Sequence, residues 1–259
     1  MPYYSSNALY EYIENNRITY LQFTRRNTWI LIYGDNEGKP KVLLVVSAVK
    51  QDDLDCNLYS DEEQNAIRIA LDLVERCKIP CRLLRYCAEK FDPNNAHVVD
   101  ITQNRFESTN INFLLQFFYA NGLKVAYQLP QKQINSQSSS AFHNWQRLTL
   151  GNEIAVSDID LIGYWRDNAI TIYELKRSYI ELSKWQPFSQ DYKNFRLVGN
   201  FATMVGADFE LIYNQRTFGP GGQCLDNIDV LKIYSYDFAA KAFVNPSVVS
   251  LNDFINANY

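Results

Sequence analysis

The sequence predicts an α/β protein made of two related units, and three observations carry that expectation. Short runs rich in β-branched and aromatic residues alternate with long amphipathic stretches. The order helix, three strands, helix, strand, strand is read twice along the chain. Hydrophobic residues make up 47% of the 259, enough for a globular core.

The first pass begins with SSNALYEYIENN, a short helix with Ser5, Ser6 and Asn7 as candidate N-caps and Leu9, Tyr12 and Ile13 on one face. ITYLQF, TWILIYGD and KVLLVVSAV follow as strands, with DNEGKP as a turn. SDEEQNAIRIALDLVERC is the clearest helix, acidic in its first turn, with Ile67, Leu71 and Val74 apolar and Arg76 near its end. CRLLRYC and AHVVDI close the unit as strands.

The second pass starts at Ser108. STNINFLLQFFYANG is a helix ending at a glycine, and LKVAYQL is a strand. A polar loop spans Gln131 to Gln146. Strands DIDLIGYW and AITIYELK, the helix FSQDYKNFRLVGNFATMVG, and strands FELIYNQ and VLKIYSY complete the order. Leu9 to Asn15 fits Leu115 to Asn121, and RLLRY fits FELIY, so the expectation is a duplicated unit with domains at 1–105 and 106–259.

The totals exclude several classes. A net charge of −4 argues against coating nucleic acid by bulk charge, so a polyanion would need a local basic surface. No apolar run approaches a membrane span, and the opening residues lack the basic and apolar regions of a signal peptide. A cytoplasmic protein without a membrane partner is the expectation. Five cysteines and two histidines give no zinc-site spacing, and the cysteines read as reduced thiols. NQRTFGPGGQ lacks the lysine-serine ending of a P-loop and reads as a mobile segment. Neither histidine sits in a motif that would serve a nucleophile.

Charged residues in the apolar hairpin point to chemistry. Along AITIYELK, Glu174 and Lys176 share a face with Ile170 and Ile172 while Tyr173 and Leu175 take the other. Asp158 and Asp160 open the partner strand, and the turn lies at the far end, so Asp160 can meet Glu174 and Lys176 across the ladder. Converging carboxylates repel unless a cation lies between them, and hard oxygen ligands suit Mg²⁺. A lysine beside them can hold a water or stabilise charge developing on a phosphate. The competing reading is an edge-strand ion pair between Glu174 and Lys176, with the aspartates as turn and cap residues. At the matching place the first unit has Ala48-Val49-Lys50, which assigns the chemistry to the second.

The stretch SDIDLIGYW…AITIYELKRS resembles the motif of the PD-(D/E)XK nuclease superfamily, whose restriction-endonuclease-like αβββαβ core has the same element order. The resemblance covers about residues 108 to 215 and implies a nuclease domain at 106–259 preceded by a degenerate copy at 1–105. It implies that Asp160 and Glu174 bind Mg²⁺, with Mn²⁺ as a substitute, that Leu175 adds its backbone carbonyl, and that Lys176 positions the attacking water. Asp158 is a rival for the metal position, and Ile159 stands where the family often has proline. Gln190 and Tyr192 open the next helix, as a glutamine and tyrosine do in several branches of the family.

Arg177, Lys184, Lys193 and Arg196 make the following stretch basic, with Trp185, Phe188 and Tyr192 interleaved and Arg216 further on. Phosphate contact and base stacking use these residue types, so Gln190, Tyr192 and these cations are the expected nucleic-acid contacts. Read singly, Trp185 and Phe188 pack the loop onto the helix. The expected function is Mg²⁺-dependent endonuclease cleavage of DNA in restriction or defence, with a homodimer serving to cut both strands. Its rivals are a structure-specific or RNA-directed nuclease and a non-catalytic binding or assembly module.

Overall fold

The computed structural model describes residues 7–24, 27–54, 58–89, 92–125 and 141–256. The chain is a mixed α/β protein with two six-stranded mixed sheets. Contacts divide it into two units. The first contains Thr24–Asp158, and the second combines residues up to Phe23 with Ile159 onward.

Helix α1 (Ala8–Asn15) is capped by Asn7, whose side chain accepts from the Leu9 N–H at 3.0 Å. Ser5 and Ser6 lie outside the described residues. Strand β1 is only Leu21–Gln22. Strands β2 (Thr28–Asp35) and β3 (Pro40–Val49) form an antiparallel hairpin. The single turn α2 (Gln51–Leu54) precedes α3 (Asp61–Cys77). Ser60 and Glu63 close a reciprocal capping box at the start of α3, and Lys78 ends it in the left-handed region at φ 57°. Strand β4 (Cys81–Cys87) returns parallel to β3, and β5 (Ala96–Asp100) and β6 (Arg105–Ser108) extend the sheet antiparallel.

Helices α4 (Phe113–Ala120) and α5 (Ala141–Thr149) and strand β7 (Ile154–Asp158) also belong to this first unit. One core joins Leu31, Tyr33, Leu44 and Val46 of the sheet to Leu114 and Phe118 of α4, Phe142 of α5 and Ile154 of β7. Ala66, Ile69, Ala70 and Leu73 of α3 are buried, and this helix packs against β2, β3 and β4. Strand β3 is consequently buried almost throughout, as a strand covered on both faces must be.

The second unit holds β8 (Leu161–Tyr164), β9 (Ile170–Ser178), α6 (Tyr192–Val205), β10 (Ala207–Phe218), β11 (Cys224–Asp237), β12 (Ala242–Ser250) and α7 (Leu251–Asn256). Strands β8 and β9 are antiparallel, β9 and β10 are parallel across α6, and β10, β11 and β12 continue antiparallel. Helix α6 packs closely enough that a Cβ on Gly199 would stand 2.4 Å from the Tyr236 ring, so that position requires glycine. Tyr173, on the opposite face of β9 from Glu174, meets Phe254 of α7.

Each sheet takes an outer strand from the other half of the sequence. Strand β1 pairs with β8, and β7 pairs with β2. The expected boundary at 105/106 is therefore corrected, because residues 111–154 contribute side chains to the first core. The expected continuous strand 158–165 breaks at Ile159, where the chain passes from one unit to the other. The part of the expected polar loop from 141 to 146 is helix α5, whose Phe142 and Trp145 stack at helical spacing. The rest of that loop, and residues 126–129 of the expected strand LKVAYQL, lie outside the described residues. The glycine-rich segment is the tip of the β10–β11 hairpin, with Arg216 inside β10. Among the described residues no helix is long and apolar enough to cross a membrane.

A buried ion pair ties α3 to its sheet. Arg85 Nε donates to Glu63 Oε1 at 2.8 Å, with the two side chains 4% and 1% exposed. Glu63→Ala removes the cap and strands a buried guanidinium, so it should cost about 3–5 kcal/mol. Urea denaturation of the variant and the wild type measures this, and a loss below about 1 kcal/mol would contradict the assignment.

Candidate functional site

The site starts from a difference in strand length. Strand β8 begins at Leu161, opposite Tyr173, whereas β9 continues to Ser178 with β10 alone as its described partner. The next position along the β8–β9 ladder sets Asp160 against Glu174. Asp160 Oδ2 accepts from the Leu175 N–H at 2.8 Å, so this carboxylate takes a donor that a longer β8 would have used. In a β-strand the N–H and C=O of one residue point to the same side, which directs the Leu175 carbonyl toward the edge that carries Asp160. Tyr10 of α1 donates its hydroxyl to the Asp160 carbonyl at 2.8 Å.

Glu174 and Lys176 occupy the α6 face of β9. Lys176 Nζ lies 2.8 Å from Glu174 Oε1, 4.0 Å from Asp191 Oδ2 and 5.6 Å from the centre of the Phe195 ring on α6. Glu174 is only 7% exposed. Burial disfavours the Lys176 charge, but Glu174 first, then Asp160 and Asp191, outweigh it and hold the ammonium's pKa well above the ordinary lysine value. With these acids beside it, Lys176 is held as a cation that donates hydrogen bonds. Glu174, Asp160 and Asp191 all act on the Lys176 ammonium.

Asp160, Glu174 and the Leu175 carbonyl offer hard oxygen donors of the kind a divalent cation takes, with water and substrate completing its shell. Among the described residues no group of three His, Cys, Asp or Glu side chains is gathered to hold a metal. A cation here would thus rest on two carboxylates and a carbonyl. That set fits Mg²⁺, which often uses only one or two carboxylates and keeps several waters.

The sequence-predicted residues fall into three groups. Asp160, Glu174, Leu175 and Lys176 come together at the open end of β9. Asp158 is exposed at the end of β7 in the first unit, opposite Leu31. Its charge acts on His143, whose pKa is lowered chiefly by burial against the opposing pull of Asp158. Gln190 and Tyr192 flank Asp191 at the start of α6, Tyr192 meeting Phe195 edge-on, and Lys193 and Arg196 lie on the same helix.

The remaining cations are engaged in ion pairs. Arg177 and Arg216 hold the two oxygens of Asp226, at 2.7 and 3.0 Å, and Lys184 pairs with Glu181 at 2.8 Å on the surface. Trp185 is 2% exposed and stacked on Tyr213, a packing role. Sequence reading missed Asp191 and Tyr10. Asp191 was visible only as part of a helix start, and the Tyr10 contact spans 150 residues of sequence.

Comparison with protein-family models, curated proteins and solved structures yields no match.

Burial raises the pKa of Asp226, but its bonds to Arg216 and Arg177 dominate and hold the carboxyl below the usual carboxylate range. The stabilisation is therefore present above the ordinary aspartate value and lost as pH falls through the lower folded value. Asp226→Asn should cost about 2 kcal/mol at neutral pH. Urea melts at descending pH should show the gap closing only in the acid range, and a gap independent of pH would refute the pairing.

Proposed function

We propose that the second unit is a Mg²⁺-dependent endonuclease that hydrolyses DNA phosphodiester bonds, using a site like that of the PD-(D/E)XK superfamily. The observation that carries the reading is the Asp160 carboxylate bonded to the Leu175 N–H at 2.8 Å just past the end of the β8–β9 ladder, with Lys176 on Glu174 at 2.8 Å. The Glu174–Lys176 ion pair of the competing structural reading is present as well. A surface ion pair alone does not account for a Glu174 that is 7% exposed, nor for a second acid and a third, Asp191, acting on the same lysine.

In this reading Asp160, Glu174 and the Leu175 carbonyl hold the cation. Bound Mg²⁺ supplies Lewis acidity toward the phosphate and lowers the pKa of a coordinated water. Lys176 keeps its proton, orients the attacking water by hydrogen bonding and offsets the charge that grows on the phosphate. Glu174 fixes the ammonium in place. Lys193, in the first turn of α6, is a candidate contact for a neighbouring phosphate.

We also propose that the two units descend from one αβββαβ ancestor and that the first has lost its site. The pairing order of β2, β3, β4 and β5 matches that of β8, β9, β10 and β11 in both direction and sequence. Sequence order sets Ala48-Val49-Lys50 at the place of Glu174-Leu175-Lys176, so the first unit has no acid there.

The purified protein should nick or linearise supercoiled plasmid with Mg²⁺ or Mn²⁺ and not with EDTA. Folded Lys176→Ala should be slower by about 10²–10³. An intact protein that leaves DNA, RNA and branched substrates uncut with either metal would refute the nuclease reading and favour a binding module.

A further inference from the structure

We infer that Tyr10 is a positioning residue of this site, fixing the backbone of Asp160 from a helix 150 residues away in sequence; the inference rests on the nuclease reading above. The need for such an anchor follows from where Asp160 sits. It lies in the two-residue gap between β7 and β8, outside both strands. Residues on its two sides belong to different units, because Asp158 ends a strand of the first sheet and Leu161 begins one of the second.

Three contacts take the place of strand pairing. The Ile159 side chain is 4% exposed, the Asp160 carboxylate accepts from Leu175 N–H, and the Asp160 carbonyl accepts from the Tyr10 hydroxyl. The last two grip the same residue at opposite ends. Together they fix both the peptide and the carboxylate of Asp160, and catalytic geometry tolerates little displacement of either.

Tyr10 is suited to the task because it is itself fixed. It is 5% exposed, and its ring stacks on Phe23 at 4.1 Å with planes 11° apart. The segment carrying both residues is joined to the second unit independently. Leu21 and Gln22 pair with Gly163 and Ile162, the Tyr164 N–H donates to the Tyr20 carbonyl at 2.8 Å, and the Tyr20 hydroxyl donates to the Ile255 carbonyl at 2.8 Å. The N-terminal segment is therefore part of the candidate catalytic unit, although the acids lie beyond residue 158.

Tyr10→Phe tests this in the full-length protein, since it keeps the stacked ring and removes only the hydroxyl. Tyr20→Phe is the control, as it removes a similar hydroxyl-to-carbonyl bond from the same segment away from Asp160. Three readouts are compared: plasmid cleavage with Mg²⁺, Mn²⁺ affinity by electron paramagnetic resonance, and hydrogen exchange of the Leu175 amide.

Tyr10→Phe should lower kcat about tenfold with KM for DNA unchanged, weaken Mn²⁺ several-fold and speed Leu175 exchange several-fold beyond any global loss of stability. Tyr20→Phe should leave all three near wild type. If both variants behave alike in Mn²⁺ affinity and Leu175 exchange, the positioning role is overturned. If the wild type neither binds Mn²⁺ nor cuts, the nuclease reading falls. Leu175 exchange then still decides whether Tyr10 holds Asp160.

Discussion

The register of β8 on β9 is the constraint on which the rest of the site depends. Leu161 stands opposite Tyr173, and β8 has no residues further along. A slip of one residue would reverse the faces of β9, moving Glu174 and Lys176 to the side where Tyr173 meets Phe254. The register is held from both sides, by Ile162 and Ile172 in the core and by the parallel ladder that sets Leu211 against Glu174. Because β8 stops early, the backbone at Leu175 needs another partner, and the Asp160 carboxylate supplies it. One truncation of a strand thus satisfies a backbone donor, brings two acids together and exposes an edge that substrate could approach.

Charge then decides what such an edge can do. Glu174 is nearly buried and would be costly as a bare carboxylate, so Lys176 must sit against it. Asp160 and Asp191 add negative charge that acts on the same ammonium. The first unit differs at the matching place: Ala48 N–H donates to the Asn27 carbonyl at 2.8 Å, and the Ala48 side chain belongs to the core shared with α4 and α5. The two sheets share a pairing scheme yet differ in the residues that would make it reactive, which separates the requirements of folding from those of chemistry. Two cations expected to build a local basic surface, Arg177 and Arg216, are instead matched by Asp226.

Much of this was legible in the sequence where the signal is local. Helix α3 declares itself through the acids of its first turn, although its buried face is Ala66, Ile69, Ala70 and Leu73 and not the stripe Ile67, Leu71 and Val74, and the motif acids stand out because strands seldom place charges beside continuous apolar runs. Pairing partners were less legible. Alternation tells which face a residue takes but not which strand lies beside it, and β1, two residues long, carries almost no periodicity. The Asp226 clasp was hidden for a related reason: Arg177 and Asp226 meet only because β10 lies between their strands, and Arg216 faces Asp226 only through the β10–β11 register. Helix α5 was obscured by its polar composition, although Phe142 and Trp145 were available at helical spacing.

The exchange of outer strands changes what counts as a unit. By sequence order the halves meet near residue 105, but each sheet is completed by a strand from the other half. A two-residue strand contributes little alone, and β1 is secured by the Tyr20 hydroxyl, the Tyr20 carbonyl and the Tyr10–Phe23 stack. Neither half of the sequence can then close its own sheet. The second unit must wait for residues 159 onward before the segment up to Phe23 has anything to pair with, a loop closure of well over a hundred residues. The Tyr10 bond to Asp160 lies across that same closure, so the contact that completes the second unit also holds its acidic edge.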